Sequence, residues 1–450
     1  MNKELLYSYN LLKKVYFQGA YCSIELNKLL EAKKQEKLNH SLITKITYGV
    51  LEKDIYLCYV VNQFVKKPCS PNILLLLKMG AYVNEFTDGI PTYALINECV
   101  EISKKEDKFA SGFVNATLKN IASTNVALPN KNINVVKHYS LKYSYPEWFV
   151  KYLLQNFDIS FVEEYLKTEL TTLTHIRIVN QNFKAESGFV NGILSDDFNN
   201  QVEVFKDILN KNNIEFNTTP LPFTLYVDYQ KLIKLDELKG KYVVQGLPSV
   251  LVALNVQPNA KERILDCTGA PGGKSALVAE LCANAQITCA DLHPHRVGLI
   301  KSLMKTQQID NVTAITQDAT KLNANWINQF DKILCDVPCS GIGVVNKKPD
   351  ILLNKNMADV KTLSGVQLNI LNTNCNYLKV GGTLIYSTCT IMKEENESVI
   401  NSFIKTHPNF KCQAVNSFSI PAQNRGNMVT FYPNISQTEG FFIAKLTRLY

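Results

Sequence analysis

From about residue 250 onward the chain alternates short apolar runs with amphipathic stretches joined by brief polar loops. This rhythm limits the fold more than any other feature. RILDC, QITCAD, VTAIT, DKILCD and TLIYST read as strands. ALVAELCA, RVGLIKSLMK, GVQLNILNTNCNYL and EENESVINSFIK read as helices, and GFFIAKL closes the series as a strand. Such alternation predicts an α/β domain over 246–450, built on a doubly wound, mostly parallel sheet. Ligands of these sheets bind outside the carboxyl ends of the strands.

The first 245 residues follow other periods. Over 1–135, LYSYNLLKKVYF, LITKITYGVLE, NILLLLKMGAYVNEF and KFASGFVNATLKNI place apolar residues at helical spacing, and Pro71 and Pro91 sit at helix starts. This predicts a compact all-α domain. NKNINVVKHYSLKYSYP, residues 130–146, reads as a polar linker. Over 136–245, beyond that linker, EWFVKYLLQNF, FVEEYLKTEL and residues 201–213 read as helices. LTHIRIVN, FTLYVDY and GKYVVQG read as strands, which predicts a small α+β subdomain.

A membrane protein is not expected, because the most apolar candidate, NILLLLKMGAYV, is short of a span and carries Lys78. The 12 cysteines are scattered with no C-x-x-C pair, which favours reduced thiols in a cytoplasmic protein over a metal site or disulfides. The amphipathic MNKELLYSYNLLKKVY does not read as a leader. A net charge of +8 is compatible with a polyanionic partner, although a solvated basic surface explains it equally.

After the first strand of the α/β region comes a Gly-rich turn that opens a helix: Thr268, Gly269, Ala270, Pro271, Gly272, Gly273 and Lys274. It matches neither the dinucleotide fingerprint nor the P-loop, and alone it reads equally as a tight turn. Two acids shift the balance. Asp291 ends the second strand, where a carboxylate can accept ribose hydroxyls, and Asp318 follows the third, where it could accept from an adenine amino group. Together they describe an adenosine pocket, and S-adenosylmethionine suits it better than a dinucleotide.

The fourth strand ends in Asp336, Pro338 and Cys339, and the fifth in Ser387, Thr388 and Cys389. Neighbouring strands would bring the two thiols face to face. Cys267, Cys282, Cys289, Cys335 and Cys375 read instead as small core residues. DVPCSGIGVVNKKPDI and STCTIMKEENE, with APGGK upstream, resemble the RNA (cytosine-5) methyltransferases, over about residues 245–446. TYGVLE and KFASGFVNATL look like a NusB-type helical domain, and YPEWFVKYLL with THIRIVN is similar to the family's small RNA-binding subdomain. The three-part arrangement resembles that of the RsmB (Sun/Fmu) family.

The resemblance implies a Rossmann-like methyltransferase domain that takes S-adenosylmethionine and modifies C5 of a cytosine in 16S ribosomal RNA, cytosine 967 in the family. It assigns the attack on cytosine C6 to Cys389 and release of the adduct to Cys339. Asp336 would stabilise charge at N3 and contribute to the pocket. Lys274 would lower a thiol pKa and fix the base. Neither a metal nor an obligate protein partner is implied, and a monomer is expected. Thr268 and Gly269 stand where Cys and Ala are common, and backbone contacts to the cofactor would survive this. Gly246 stands where the family usually has Asp, so any role of that acid is lost. Two other readings remain: a 5-methylcytosine enzyme acting on another RNA such as tRNA, and an RNA-binding or antitermination factor with an inert methyltransferase domain.

Overall fold

The computed structural model describes residues 2–184, 189–190 and 193–450. The chain forms two compact units, Met1–Thr168 with Lys347–Asn356, and Glu169–Asn346 with Met357–Tyr450.

The first unit is helical. Its helices Lys3–Gln18, His40–Glu52 and Pro71–Phe86 start at side-chain caps: Asn2 accepts from the Leu5 amide, Asn39 from Leu42 and Ser70 from Ile73. Pro71 occupies the first turn, as its position in the sequence predicts. Pro71–Phe86 is buried on nearly every face, which makes it the centre of the core. Its Lys78 is buried within this core. The ammonium pairs with Asp54 and lies 4.3 Å from the centre of the Tyr16 ring, whose hydroxyl also donates to Asp54. Leu353, in the short turn Pro349–Leu353, packs against this same core.

Residues 130–146 are not the expected linker. Val135–Tyr143 is a helix capped by Asn134, with Tyr139 and Leu141 buried and the Tyr139 hydroxyl donating to Glu163 at 3.0 Å. Lys137, His138 and Lys142 mask an apolar stripe that becomes visible only when it is packed.

The second unit begins with a four-stranded antiparallel sheet ordered Phe216–Thr218, Thr224–Val227, Thr174–Ile178, Tyr242–Val244. The first of these strands was not expected, because NIEFNTT is short and polar. Helix Asp196–Lys211, capped by Ser195, begins five residues before the predicted start at 201. In the strand THIRI, His175 and Arg177 both point inward. Arg177 is fully buried, donating to Glu280 at 2.7 Å and to Gln245 at 3.1 Å. These basic residues of THIRIVN are therefore buried in the fold and do not present their side chains to solvent.

The large sheet has nine strands: β1 (Arg263–Asp266), β2 (Gln286–Asp291), β3 (Val312–Thr316), β4 (Phe330–Asp336), β5 (Leu378–Thr388), β6 (Phe410–Gln413), β7 (Gln423–Arg425), β8 (Met428–Phe431) and β9 (Phe441–Arg448). The order is β7-β8-β9-β5-β4-β1-β2-β3, with β6 also pairing β9. β3, β2, β1, β4 and β5 run parallel, as expected of a Rossmann-like fold. The other half is antiparallel and centred on β9. β1 lies between β2 and β4, so the chain reverses its winding there and opens a crevice at the strand ends.

Candidate active site

Every acid and thiol singled out in the α/β region lies at or just past the carboxyl end of β1 to β5. β4 and β5 are neighbours in parallel register, with Asp336 opposite Ser387. Three residues past Asp336, the Cys339 sulfur lies 2.9 Å from that of Cys389. The Cys389 amide also donates to the Cys339 sulfur at 3.2 Å. The hydrogen bond to Cys389, with burial, pushes the Cys339 thiol well above its ordinary range.

Asp336 is held from two sides. Lys274 donates to Oδ2 at 2.5 Å and Ser387 to Oδ1 at 2.7 Å, while the Thr268 hydroxyl donates to the Asp336 carbonyl at 3.0 Å. Burial pulls the Lys274 ammonium pKa down, but Asp336, Asp266 and Cys389 outweigh it and the net shift is upward. Lys274 is thus a fixed cation that locks the carboxylate in place beside the thiols.

The Gly-rich turn is built by close packing. The Gly269 amide donates to the Ala290 carbonyl at 2.8 Å, and a β-carbon on Gly269 would lie 2.2 Å from the Cys289 sulfur. Cys289 fills the space that the usual alanine methyl would take, which explains why glycine stands here. Gly272, at φ +111°, turns the chain into helix Gly273–Leu281. Arg296 donates to the Ala270 carbonyl at 3.1 Å and lies 3.4 Å from the buried carboxylate of Asp291. Asp291 also accepts from the His293 amide at 3.2 Å. Asp318 accepts from the amide and hydroxyl of Thr320, and these bonds hold its carboxyl below the usual range.

Asp266, the last residue of β1, was not singled out from the sequence. It is 2% exposed, accepts from Ser275 at 2.7 Å through Oδ2, and has its Oδ1 buried without a hydrogen-bond partner. Burial pushes its carboxyl up to about 6. The signal that marked Asp291, an acid ending a buried strand, applies equally to Asp266. This orphaned acceptor and the acids at the ends of β2 and β3 fit a ligand that donates hydrogen bonds from a sugar and a base, while the helix N-terminus at Gly273 offers N–H donors to an anionic group of the same ligand.

Gly246 does not leave its surroundings without an acid. The carboxylate of the buried Glu439 stands 3.4 Å from where a Gly246 β-carbon would be. Sequence reasoning could not find this replacement, because Glu439 comes from the loop before β9. Among the five cysteines read as core, Cys267, Cys289, Cys335 and Cys375 are buried, while Cys282 is half-buried at a helix end. Among the described residues, no helix is long and apolar enough to cross a membrane.

Residues 253–447 match the family described as 16S rRNA methyltransferase RsmB/F, and residues 3–123 match the NusB family. The chain is 32% identical to the probable ribosomal RNA small subunit methyltransferase B of Bacillus subtilis, over 95% of both proteins. Its fold follows the crystal structure of PH0851 with a TM-score of 0.81, at 20% identity over 100% of this chain and 99% of that one. It follows NSun6 from Pyrococcus horikoshii with SFG at a TM-score of 0.57, at 22% identity over 68% and 98%. A NusB domain, a Rossmann-like sheet with paired thiols at its open end and a full-length relative lead to one conclusion: the chain is an RNA methyltransferase and belongs to the RsmB/F family.

Proposed function

We propose that the protein methylates C5 of a cytosine in 16S ribosomal RNA through a covalent adduct with Cys389. The observation that carries this reading is the 2.9 Å approach of the Cys339 and Cys389 sulfurs beside the Lys274–Asp336 pair. Cytosine C5 is a poor nucleophile. Addition of the Cys389 thiolate to C6 forms an S–C6 bond and moves electrons toward N3, which makes C5 enamine-like. The Asp336 carboxyl, fixed by Lys274 and Ser387, would meet N3 as a proton carrier and give N3 a proton as the electrons arrive. S-adenosylmethionine, when bound, supplies the methyl group. A general base then takes the C5 proton, the C–H electrons re-form the C5=C6 bond, the S–C6 bond breaks and Cys389 leaves as a thiolate while N3 gives its proton back, with Cys339 assisting this release.

Thr268 to Lys274 with Asp291 and Asp318 would hold the cofactor. SFG, an S-adenosylmethionine analogue, accompanies a neighbour of the same fold, which supports the assignment. The target base must leave its stack to reach thiols at the bottom of such a crevice. Residues 1–135 and 136–245 would bind and orient RNA for the catalytic residues 246–450, in the cytoplasm and as a monomer.

Bisulfite mapping of ribosomal RNA from cells with and without the protein tests the reading. One cytosine of 16S RNA should lose protection in the cells that lack it. Loss confined to tRNA would favour the other 5-methylcytosine reading, and no change at any RNA cytosine would overturn the activity.

A further inference from the structure

The peptides on both sides of Cys339 are tied to a single buried carboxylate. Glu395 is 0% exposed. Its Oε1 accepts from the Ser340 amide at 2.8 Å and from Gln367 Nε2 at 2.9 Å, and its Oε2 accepts from the Ser340 hydroxyl at 2.5 Å. The same Gln367 nitrogen donates to the Pro338 carbonyl at 2.9 Å. Pro338 and Ser340 therefore both answer to Glu395, one through Gln367 and the other directly. The cluster also reaches the second thiol, since Ser340 Oγ lies 3.0 Å from Thr390 Oγ1, one residue past Cys389. Tyr386 closes it from β5, donating to the Glu395 carbonyl at 2.5 Å.

Burying a carboxylate is costly unless its lone pairs are filled, and here three donors fill them. A loop that only needed closing would do so with a neutral side chain at less cost. We infer that Glu395 is a positioning residue for the release step, holding the Cys339 sulfur against Cys389 so that the adduct can be resolved. The inference rests on the reading of Cys389 as attacker and Cys339 as release thiol. Cys389 leaves β5 with its carbonyl accepting from the Gly343 amide at 3.1 Å, whereas Cys339 has the Glu395 cluster on either side.

The test is single-turnover kinetics of the full chain with ribosomal RNA and labelled S-adenosylmethionine, quenched by denaturation and read on a gel. Glu395→Gln keeps the shape but places an amide donor against the Ser340 donors. First-turnover methylation should stay within about threefold of wild type, while kcat falls roughly 10- to 100-fold and KM falls with it, so that kcat/KM is little changed. A covalent protein–RNA band should accumulate, as in Cys339→Ala. Ser340→Ala removes one donor at no cost in volume and should show a weaker version of the same band, which covers the case in which Glu395→Gln does not fold. A band in Cys339→Ala with none in folded Glu395→Gln or Ser340→Ala overturns the inference. So does an equal loss of attack and release, the mark of a mere brace. If even Cys339→Ala traps nothing, the covalent reading itself fails and the inference falls with it.

Discussion

Gly343 and Gly440 meet backbone to backbone: the Gly440 amide donates to the Gly343 carbonyl at 2.7 Å, and a β-carbon on Gly343 would lie 2.0 Å from the Gly440 oxygen. The same β-carbon would lie 2.9 Å from the Cys389 carbonyl oxygen. The contact fastens the loop that carries Cys339 to the loops after β5 and before β9.

Gly343→Ala must therefore move backbone, since no side chain is there to yield. A stability loss of about 1–3 kcal/mol is expected, together with loss of most methyl transfer, because the two thiols are displaced. Gly365→Ala is the control. It lies within helix Met357–Asn374 with nothing near its added methyl, and should stabilise by roughly 0.5–1 kcal/mol. Urea titration of both variants checks the pair.

Arg177→Ala leaves the Glu280 carboxylate buried without its ion partner. The expected loss is roughly 3–5 kcal/mol, whereas replacing both residues with apolar ones of similar volume should recover most of it. Burial already pushes the Glu280 carboxyl above its ordinary range, with Arg177 opposing. If the denaturation midpoint of Arg177→Ala matches wild type, the pair does not brace the small sheet against the helix after β1.

Much of the site was legible from chain order alone. Asp336 with Cys339 and Ser387 with Cys389 end strands that follow one another in a doubly wound series, so adjacency of β4 and β5 brings them together. Lys274 could be placed by the turn that ends β1. Residues that reach the site from other parts of the chain had no such signal. Glu439 stands beside Gly246 only because β9 inserts next to β5, and Gln367 meets Glu395 from a helix whose apolar face gives no hint of it. The strands β6 and β7 escaped because FKCQ and QNR are short and polar, and β8, MVTF, because four residues give too little alternation to read. Helix Val135–Tyr143 escaped because Lys137, His138 and Lys142 interrupt its short apolar stripe.

Asp291→Ala removes an acid placed to take ribose hydroxyls. It should weaken S-adenosylmethionine binding by about 1–3 kcal/mol, read by calorimetric titration. The buried carboxylate also holds the His293 amide, so Asp291→Asn should lose less than Asp291→Ala. Unchanged affinity in both would place the pocket elsewhere.

Asp266 gives a pH signature in the ligand-free protein. Its carboxyl is raised by burial to about 6 from the ordinary 3.8, so the native state binds this proton more tightly than the unfolded chain. The associated stability is fully present below about pH 4 and is lost as pH rises through about 6. Asp266→Asn cannot ionise. The stability of wild type relative to this variant should fall by roughly 3 kcal/mol between pH 4 and pH 7. A difference that stays flat over this range would mean that Asp266 ionises as readily in the folded protein as in the unfolded chain.

The two thiols can be told apart on one denaturing gel. If Cys389 attacks C6, Cys389→Ala forms no adduct and should be inactive, with no covalent RNA band. If Cys339 only assists release, Cys339→Ala still attacks and methylates once, then stalls as a protein–RNA species that survives denaturation and disappears with RNase. The double variant should behave like Cys389→Ala, because release has no meaning without attack. The 2.9 Å separation of the sulfurs makes the contrast demanding, since either thiol is close enough to be taken for the nucleophile. Reversed roles would put the band in Cys389→Ala instead. Two cysteines that merely pack would give small stability losses and no band in any lane, and that outcome would remove the covalent mechanism altogether.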